Sequence, residues 1–197
     1  MLERFLQGSR QCDTAAARFR TLSGQLFAMT NKTRSAAVKT QIDAARQRSA
    51  LLGRPGFLIR RLHQLHCSLF LEETEAFNIT PVQYSLLTAL HQHGELDQNT
   101  LALEIGLERT TVAEVIPRLE GRGLLERRQG EHDRRVKLVK LTRKGRALVT
   151  KMEDAVQRAH DRTVDQLPAE DRERFLLYLI QLVEATNGLG SAPYRLP

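Results

Sequence analysis

The segment Gly130–Gly145, GEHDRRVKLVKLTRKG, combines a high density of arginine and lysine with apolar residues at strand-like spacing. Val136, Leu138 and Leu141 lie among the basic residues and predict a short strand with one buried face. The segment LLERRQ at 124–129 predicts a second strand, and the polar GEHDRR lies between the two. Together they predict a β-hairpin whose tip is polar and basic.

The positive charge of the chain is concentrated in two regions. Residues 118–146 hold eleven Lys and Arg against four acidic residues, and residues 1–49 hold nine against three. The rest of the chain is acidic, with ten basic and sixteen acidic side chains. Local positive potential attracts a polyanion more than total charge does, so the basic region around the hairpin predicts a phosphate-binding surface.

Three helices are predicted before the basic region. A long first helix extends over about residues 55–77, because apolar residues recur there at helical spacing. The second begins at the Thr80–Gln83 capping signature, in which a Thr hydroxyl, a proline and a Gln side chain can satisfy the first turn. The third is short, with Asp97 as its cap and Gly106 at its end.

A fourth helix, RTTVAEVIPRLEGRG from Arg109, is amphipathic. Val112, Val115, Ile116 and Leu119 share one face, and the opposite face carries the small or polar residues Thr110, Ala113, Glu114 and Gly121. Two short helices joined by a tight turn with a glycine form the pattern of a helix-turn-helix. Pro117 lies inside the fourth helix and is expected to bend its axis, at a cost of up to about 3 kcal/mol.

Two further helices are predicted after the hairpin. Thr142 can cap the first, which continues toward Val164, and Pro168 begins the second, AEDRERFLLYLIQLVEA. The FLLYLI segment is apolar around more than one face and must therefore be covered on two sides. In a chain of 197 residues this predicts a partner subunit. The predicted fold is mainly α, with a small β-hairpin.

This order of elements resembles the MarR family of winged helix-turn-helix transcriptional regulators. The most specific piece is the family's wing signature: an Asp, one residue, an Arg, then a strand closing in Leu-Thr with a Gly three positions beyond. It is met here by Asp133, Arg135, Leu141, Thr142 and Gly145. The preceding RLEGRGLLERR also resembles the family's junction between helix and strand.

The resemblance implies a domain organisation. A MarR-type domain at 55–187 would contain a winged helix-turn-helix at about 80–145 and dimerisation helices at about 55–77 and 143–187. Residues 1–50 are predicted to be a flexible basic arm, which also resembles an organellar transit peptide or a leader before an initiating Met29. Residues 188–197 are left as a C-terminal tail.

By resemblance, the fourth helix enters the major groove of duplex DNA and the hairpin tip enters the minor groove. The predicted contacts on the helix are Arg109, Thr110, Thr111, Glu114 and Arg118. In the wing, Arg135 takes the minor-groove position, Asp133 orients it, and Arg134 competes for the same role. The other basic residues of the region are predicted neighbours of phosphates, namely Arg127, Arg128, Lys137, Lys140, Arg143 and Lys144.

The resemblance also implies a homodimer on a pseudopalindromic operator and a small aromatic or phenolic acid as effector. The effector site of the family lies where the dimerisation helices meet the winged domain. Candidate lining residues are Arg60, His63, His66, Cys67 and Tyr84, with Arg60 or Arg61 opposite a carboxylate. The alternative for the histidines and Tyr84 is a purely structural role.

Other functions stay open at the level of sequence. His63, His66 and Cys67 have spacing compatible with a metal-responsive regulator, although no fourth ligand is evident. Cys67 could sense peroxide. A protein-interaction module that uses the same fold without specific DNA binding is a further alternative.

Several classes of protein are disfavoured. No apolar run approaches the roughly 18 residues of a membrane span, so no membrane partner is expected. Two distant cysteines, Cys12 and Cys67, supply no disulfide framework, and reduced bacterial cytosol or nucleoid is the expected location. The sequence has no P-loop, no Gly-x-Ser-x-Gly and no His-Glu-x-x-His, so we expect neither an enzyme nor a cofactor.

Overall fold

A computed structural model describes residues 31–130 and 136–195. The chain divides into two compact units. The first contains the described residues up to Cys67 together with Asp161–Phe175, and the second contains those of Ser68–His160 and 176–195.

The described part of the chain is mainly helical, as predicted. Its elements are α1 Asn31–Arg48, α2 Pro55–Glu73, α3 Pro81–His93, β1 Glu95–Asp97, α4 Gln98–Glu104, α5 Arg109–Gly121, β2 Leu125–Gln129, β3 Lys137–Leu141, α6 Arg143–Val164 and α7 Ala169–Thr186. Short 3-10 turns lie at Ala50–Gly53, Glu75–Phe77 and Asn187–Leu189.

Helix α1 lies within the segment for which the sequence predicted a flexible arm. Residues 31–48 form a regular helix, and the side chains of residues 35–48 are mostly exposed, so this part of the predicted arm has regular secondary structure. Its Ala, Lys, Arg and Gln residues have high helix propensity, and the prediction of a flexible arm did not take this propensity into account. Residues 1–30 of the predicted arm lie outside the described residues.

The sheet of the second unit has three antiparallel strands in the order β1-β3-β2. Strands β2 and β3 are the predicted hairpin, with Leu125 opposite Leu141 and Arg127 opposite Val139. Strand β1 was not predicted, because it has three residues and no alternating pattern. It pairs with the free edge of β3, with Leu96 opposite Val139.

The buried face of β3 differs from the predicted one. Val139 and Leu141 are buried, whereas Val136 is 37% exposed and Leu138 is half-buried. Side chains alternate along a strand, so burial of Leu141 places Val139 and not Leu138 on the same face. The prediction that Val136 and Leu138 fasten this strand to the core is therefore wrong.

The core of the second unit consists of apolar side chains from its helices and its sheet. Fully buried members come from the helices and from both hairpin strands: Leu86, Leu87, Leu90, Leu101, Val112, Ile116, Leu119, Leu124, Leu125, Val139 and Met152. At roughly 1.5–3 kcal/mol for each large side chain, this burial is the main stabilising contribution to the unit.

The predicted caps of α3 and α6 are present. The Gln83 amide donates to Thr80 Oγ1 at 3.3 Å and the Thr80 amide donates to Gln83 Oε1 at 3.1 Å, which completes the capping box of α3. At α6 the Gly145 amide donates to Thr142 Oγ1 at 3.1 Å, while the Thr142 hydroxyl donates to the Gly123 carbonyl at 2.8 Å. Thr142 thus joins the start of α6 to the end of α5.

Gly145, the last residue of the wing signature, is required for close packing. It is buried, and a Cβ added there would overlap the carbonyl oxygen of Leu124 and approach the Leu141 side chain to 3.3 Å. The obstacle is backbone, which cannot move aside as a flexible side chain can. Any side chain at position 145 would push α6 away from the base of the hairpin.

We predict that Gly145→Ala destabilises the protein by about 1–3 kcal/mol, the usual cost of forcing atoms into a packed site. Gly121→Ala is the matched control, because a Cβ at this helical glycine meets nothing within 4 Å. Urea unfolding of both variants measures the difference. Equal stability of Gly145→Ala and wild type would contradict the packing explanation.

Candidate nucleic-acid interface and effector site

Helices α4 and α5 are joined by a tight turn. Asp97 caps α4 by accepting the amides of Asn99 at 2.9 Å and Thr100 at 3.1 Å. Gly106 ends the helix with a positive φ of 61°, and the amide of Leu107 returns to the Ala102 carbonyl at 3.0 Å. This conformation favours glycine, and it produces the helix-turn-helix that the sequence predicted.

Helix α5 has one buried edge and one open face. Val112, Ile116 and Leu119 are fully buried in the core. Four of the five predicted DNA contacts on this helix are exposed, and the fifth, Thr111, is half-buried; the exposed four are Arg109, Thr110, Glu114 and Arg118. The helix continues through Pro117, which is also exposed, to Gly121.

The wing is described only at its base. The amide of Gly130 donates to the carbonyl of Val136 at 2.9 Å, which closes the ends of the two strands. Lys137 is exposed at the start of β3. The predicted tip residues Asp133, Arg134 and Arg135 lie outside the described residues.

Two arginines predicted as neighbours of phosphate contact carboxylates of the same unit. Arg128 donates to both oxygens of Glu95, from Nε at 2.8 Å and from Nη2 at 2.7 Å, and Arg127 donates to Glu120. The hydrogen bond from Arg128 lowers the pKa of Glu95, and the hydrogen bond from Arg127 lowers the pKa of Glu120. These contacts fasten the outer strand β2 to the segment after α3 and to α5.

Arg122 supports the interface in a way that the sequence did not indicate. Its guanidinium donates to the carbonyl oxygens of Asn78 at 2.6 Å and Phe77 at 3.0 Å, and its own carbonyl accepts Lys144 Nζ at 2.8 Å. It therefore joins the end of α5 to the turn before α3. Contacts to backbone carbonyls carry no sequence signature at the accepting position, which is why this role was missed.

The predicted effector residues are divided between the two units. In the first unit His63 Nε2 lies 3.6 Å from Cys67 Sγ, and His66 Nδ1 lies 2.9 Å from the hydroxyl of Thr163. Arg60 donates to Gln64 at 3.1 Å. In the second unit Tyr84 is half-buried and its ring centroid lies 5.7 Å from that of Phe70.

The described ranges show neither a cluster of metal ligands nor a membrane span. Residues 31–130 and 136–195 contain no group of three or more His, Cys, Asp or Glu side chains placed to hold a metal ion. Within the same ranges, no helix has the length and apolar content needed to cross a membrane.

Comparison with known proteins identifies the family. The model of the MarR family matches residues 79–137. The repressor NicR of Pseudomonas putida is 27% identical over 135 residues, which cover 68% of this chain and 85% of NicR. The structure of the PcaV transcriptional regulator of Streptomyces coelicolor with its natural ligand is 32% identical, with a TM-score of 0.62 over 69% of this chain and 96% of that one.

The chain belongs to the MarR family. A further solved structure, which concerns regulation of DNA binding of Bordetella bronchiseptica BpsR by 6-hydroxynicotinic acid, is 30% identical with a TM-score of 0.62, and the match covers 66% of this chain and 92% of that one. As a MarR-family protein, the chain is a DNA-binding transcriptional regulator and not an enzyme. The family match spans α3 to the first residue of β3, which is the helix-turn-helix and most of the hairpin.

The cap of α4 gives a pH-dependent prediction. Burial acts to raise the pKa of Asp97, but the hydrogen bonds from Thr100 and Asn99 outweigh it and the pKa is lowered. A lowered carboxyl pKa contributes stability above the pKa of the unfolded chain, about 3.9, and this contribution is lost as the pH falls through the folded pKa.

We therefore predict that Asp97→Ala destabilises the protein by about 1 kcal/mol at pH 7 and by progressively less below about pH 4. Asp97→Asn keeps a capping oxygen without the charge, so it should lose less stability than Asp97→Ala at neutral pH. Urea unfolding at pH 7 and pH 3 measures both variants. A difference between wild type and Asp97→Ala that grows toward low pH would contradict the sign.

Proposed function

We propose that this protein is a homodimeric repressor that binds a pseudopalindromic operator and releases it when a small aromatic or phenolic acid binds. The observation that carries the proposal is helix α5, which buries Val112, Ile116 and Leu119 and leaves a polar face open beside a basic hairpin. Membership of the MarR family supports the same role.

On DNA, the exposed face of α5 enters the major groove. Thr110 and Glu114 are short enough to approach base edges, and Arg109 and Arg118 lie beside them at positions suited to phosphates. The wing residues Asp133, Arg134, Arg135 and Lys137 are proposed to contact the minor groove and its backbone. Because Arg127 and Arg128 contact carboxylates, their proposed role is to hold the wing in place.

Dimerisation is supported by the apolar surface of α7. No residue of this helix is buried in the single chain, and Leu176, Leu182 and Val183 are each more than half exposed. Uncovered apolar side chains on one helix favour association, at roughly 25 cal/mol per Å² of apolar surface removed from water. We propose that the predicted dimerisation helices, at about 55–77 and 143–187, cover this surface between two copies of the chain.

The proposed effector is an aromatic acid, on the strength of the relative BpsR, whose DNA binding is regulated by 6-hydroxynicotinic acid. Arg60 would pair with the carboxylate, and His63, His66 and Cys67 would contact the ring and its substituents. The effector would favour a dimer in which the two copies of α5, the proposed recognition helices, no longer match successive major grooves.

The DNA contact of the wing is tested by Arg135→Ala, measured on a duplex from the region upstream of the protein's own coding sequence. We expect affinity to fall by about tenfold, the effect of roughly 1.4 kcal/mol, because a side chain in the minor groove is lost. Lys151→Ala, which removes one positive charge from the exposed side of α6, is the matched control.

Two outcomes of this titration would count against the proposal. Unchanged affinity of Arg135→Ala would remove the wing from the interface. Failure of the wild-type protein to prefer its upstream region over an unrelated duplex would instead favour the protein-interaction module.

The effector class is tested by thermal shift and by release of labelled operator. We expect 6-hydroxynicotinic acid to raise the melting temperature and release DNA, whereas 6-hydroxynicotinamide, which lacks the carboxylate, should do neither. Arg60→Gln should weaken binding of the acid while leaving DNA affinity unchanged. Release by peroxide that is abolished in Cys67→Ser, with no response to aromatic acids, would replace the proposal with redox sensing.

A further inference from the structure

The segment after α7 folds back into a closed loop. The side-chain amide of Asn187 donates to the carbonyl of Tyr194 at 2.6 Å, and the Tyr194 amide donates to Asn187 Oδ1 at 2.8 Å. One side chain thus satisfies both backbone groups of a residue seven positions along the chain. Two such bonds fix the ends of the loop against each other.

This loop docks on three consecutive parts of the helix-turn-helix. The Arg195 amide donates to the carbonyl of Leu103 in the last turn of α4 at 2.8 Å, and the Arg195 guanidinium donates to Glu104 Oε1 at 2.9 Å. Tyr194 lies over the turn, because a Cβ added at Gly106 would be 3.4 Å from the Tyr194 Cβ.

The third contact is at the start of the recognition helix. Ser191 donates to Glu108 Oε1 at 2.7 Å, and Glu108 is the residue that precedes α5. Its carboxylate makes no capping hydrogen bond to the helix, so it is available to the loop. The carboxylate at this end is also favourable for the helix dipole.

Glu104 is the central anchor of this contact. Its side chain is 12% exposed, and its second oxygen lies 3.3 Å from His93 Nε2 at the end of α3. A carboxylate that is largely screened from water holds a guanidinium more firmly than an exposed one does. Glu104 therefore connects α3, α4 and the C-terminal loop.

The loop lies beside the predicted DNA surface without covering it. Ala192 and Pro193 line a cleft of about 460 Å³ together with Arg109 and Thr110. Both of these predicted DNA contacts stay exposed. The loop therefore contacts the start of the recognition helix and leaves its predicted DNA-binding face accessible.

We propose that residues 187–195 are a strap that couples the C-terminal end of α7 to the recognition helix, with Glu104 and Glu108 as its anchoring carboxylates. The proposal rests on the proposed function, in which α7 belongs to the dimer interface and α5 binds DNA. The strap holds the α4–α5 turn in the orientation that binds the operator. Arg195 is a positioning residue that does not contact DNA.

The test measures operator affinity of the full chain for Arg195→Ala, Glu104→Gln and the double variant. We expect each single variant to lower affinity by about fivefold, and the double variant to lower it no further, because both changes break one contact. Arg46→Ala is the matched control: it also removes one exposed arginine that pairs with a carboxylate, at 3.1 Å from Asp43, and it lies in α1, outside the proposed dimerisation helices. His93→Gln shows how much of the Glu104→Gln effect comes from the other contact of that residue.

The salt dependence of binding separates positioning from direct contact. A strap predicts the same slope of affinity against salt for wild type and Arg195→Ala, whereas a lost phosphate contact lowers the slope by about one. A reduced slope, additive single effects, or an affinity that is unchanged or increased in Arg195→Ala would each overturn the proposal.

Amide hydrogen exchange tests the strap independently of DNA. Arg195→Ala should speed exchange in the turn at 105–108 while leaving the buried amides of α5 protected. If the wild-type protein showed no operator preference, the proposed function would fail, and exchange would still decide whether the strap holds the turn. Unchanged exchange in Arg195→Ala would overturn the strap itself.

Discussion

The burial of one edge of α5 in the core of the second unit is the constraint on which the rest of the structure depends. Val112, Ile116 and Leu119 belong to the same buried cluster as Val139 and Leu141 of the hairpin, and their burial fixes which face of the helix is open. Burying these side chains contributes far more free energy than any surface ion pair in the interface. The polar face of α5 is exposed because the apolar edge is held.

Charges then refine a geometry that the core has set. The basic region around the hairpin includes Arg127, which contacts Glu120, and Arg128, which contacts Glu95. These two carboxylates partly neutralise the positive charge of the region. The positive potential available to DNA is therefore smaller than the sequence count suggests. Other exposed basic side chains among the described residues lie on α5, at the start of β3 and in the first turn of α6: Arg109, Arg118, Lys137, Arg143 and Lys144.

The sequence predicted those features that depend on local patterns. Caps at Thr80, Asp97 and Thr142, the helix-turn-helix and the hairpin all follow from residue type and spacing, and the structure confirms them. The sequence did not predict contacts between segments that are distant along the chain. Strand β1 exists only because β3 offers it an edge, and the roles of Arg122 and Glu104 depend on backbone carbonyls and side chains that lie far away along the chain.

The central claim is that two copies of this chain present α5 to successive turns of one face of DNA. Selection of binding sites from a random duplex library tests it most directly, because no operator has to be assumed. The claim predicts an enriched sequence with twofold symmetry and half-sites whose centres lie about 10 base pairs apart. Enrichment of a single asymmetric half-site, or no enrichment over many rounds, would contradict it.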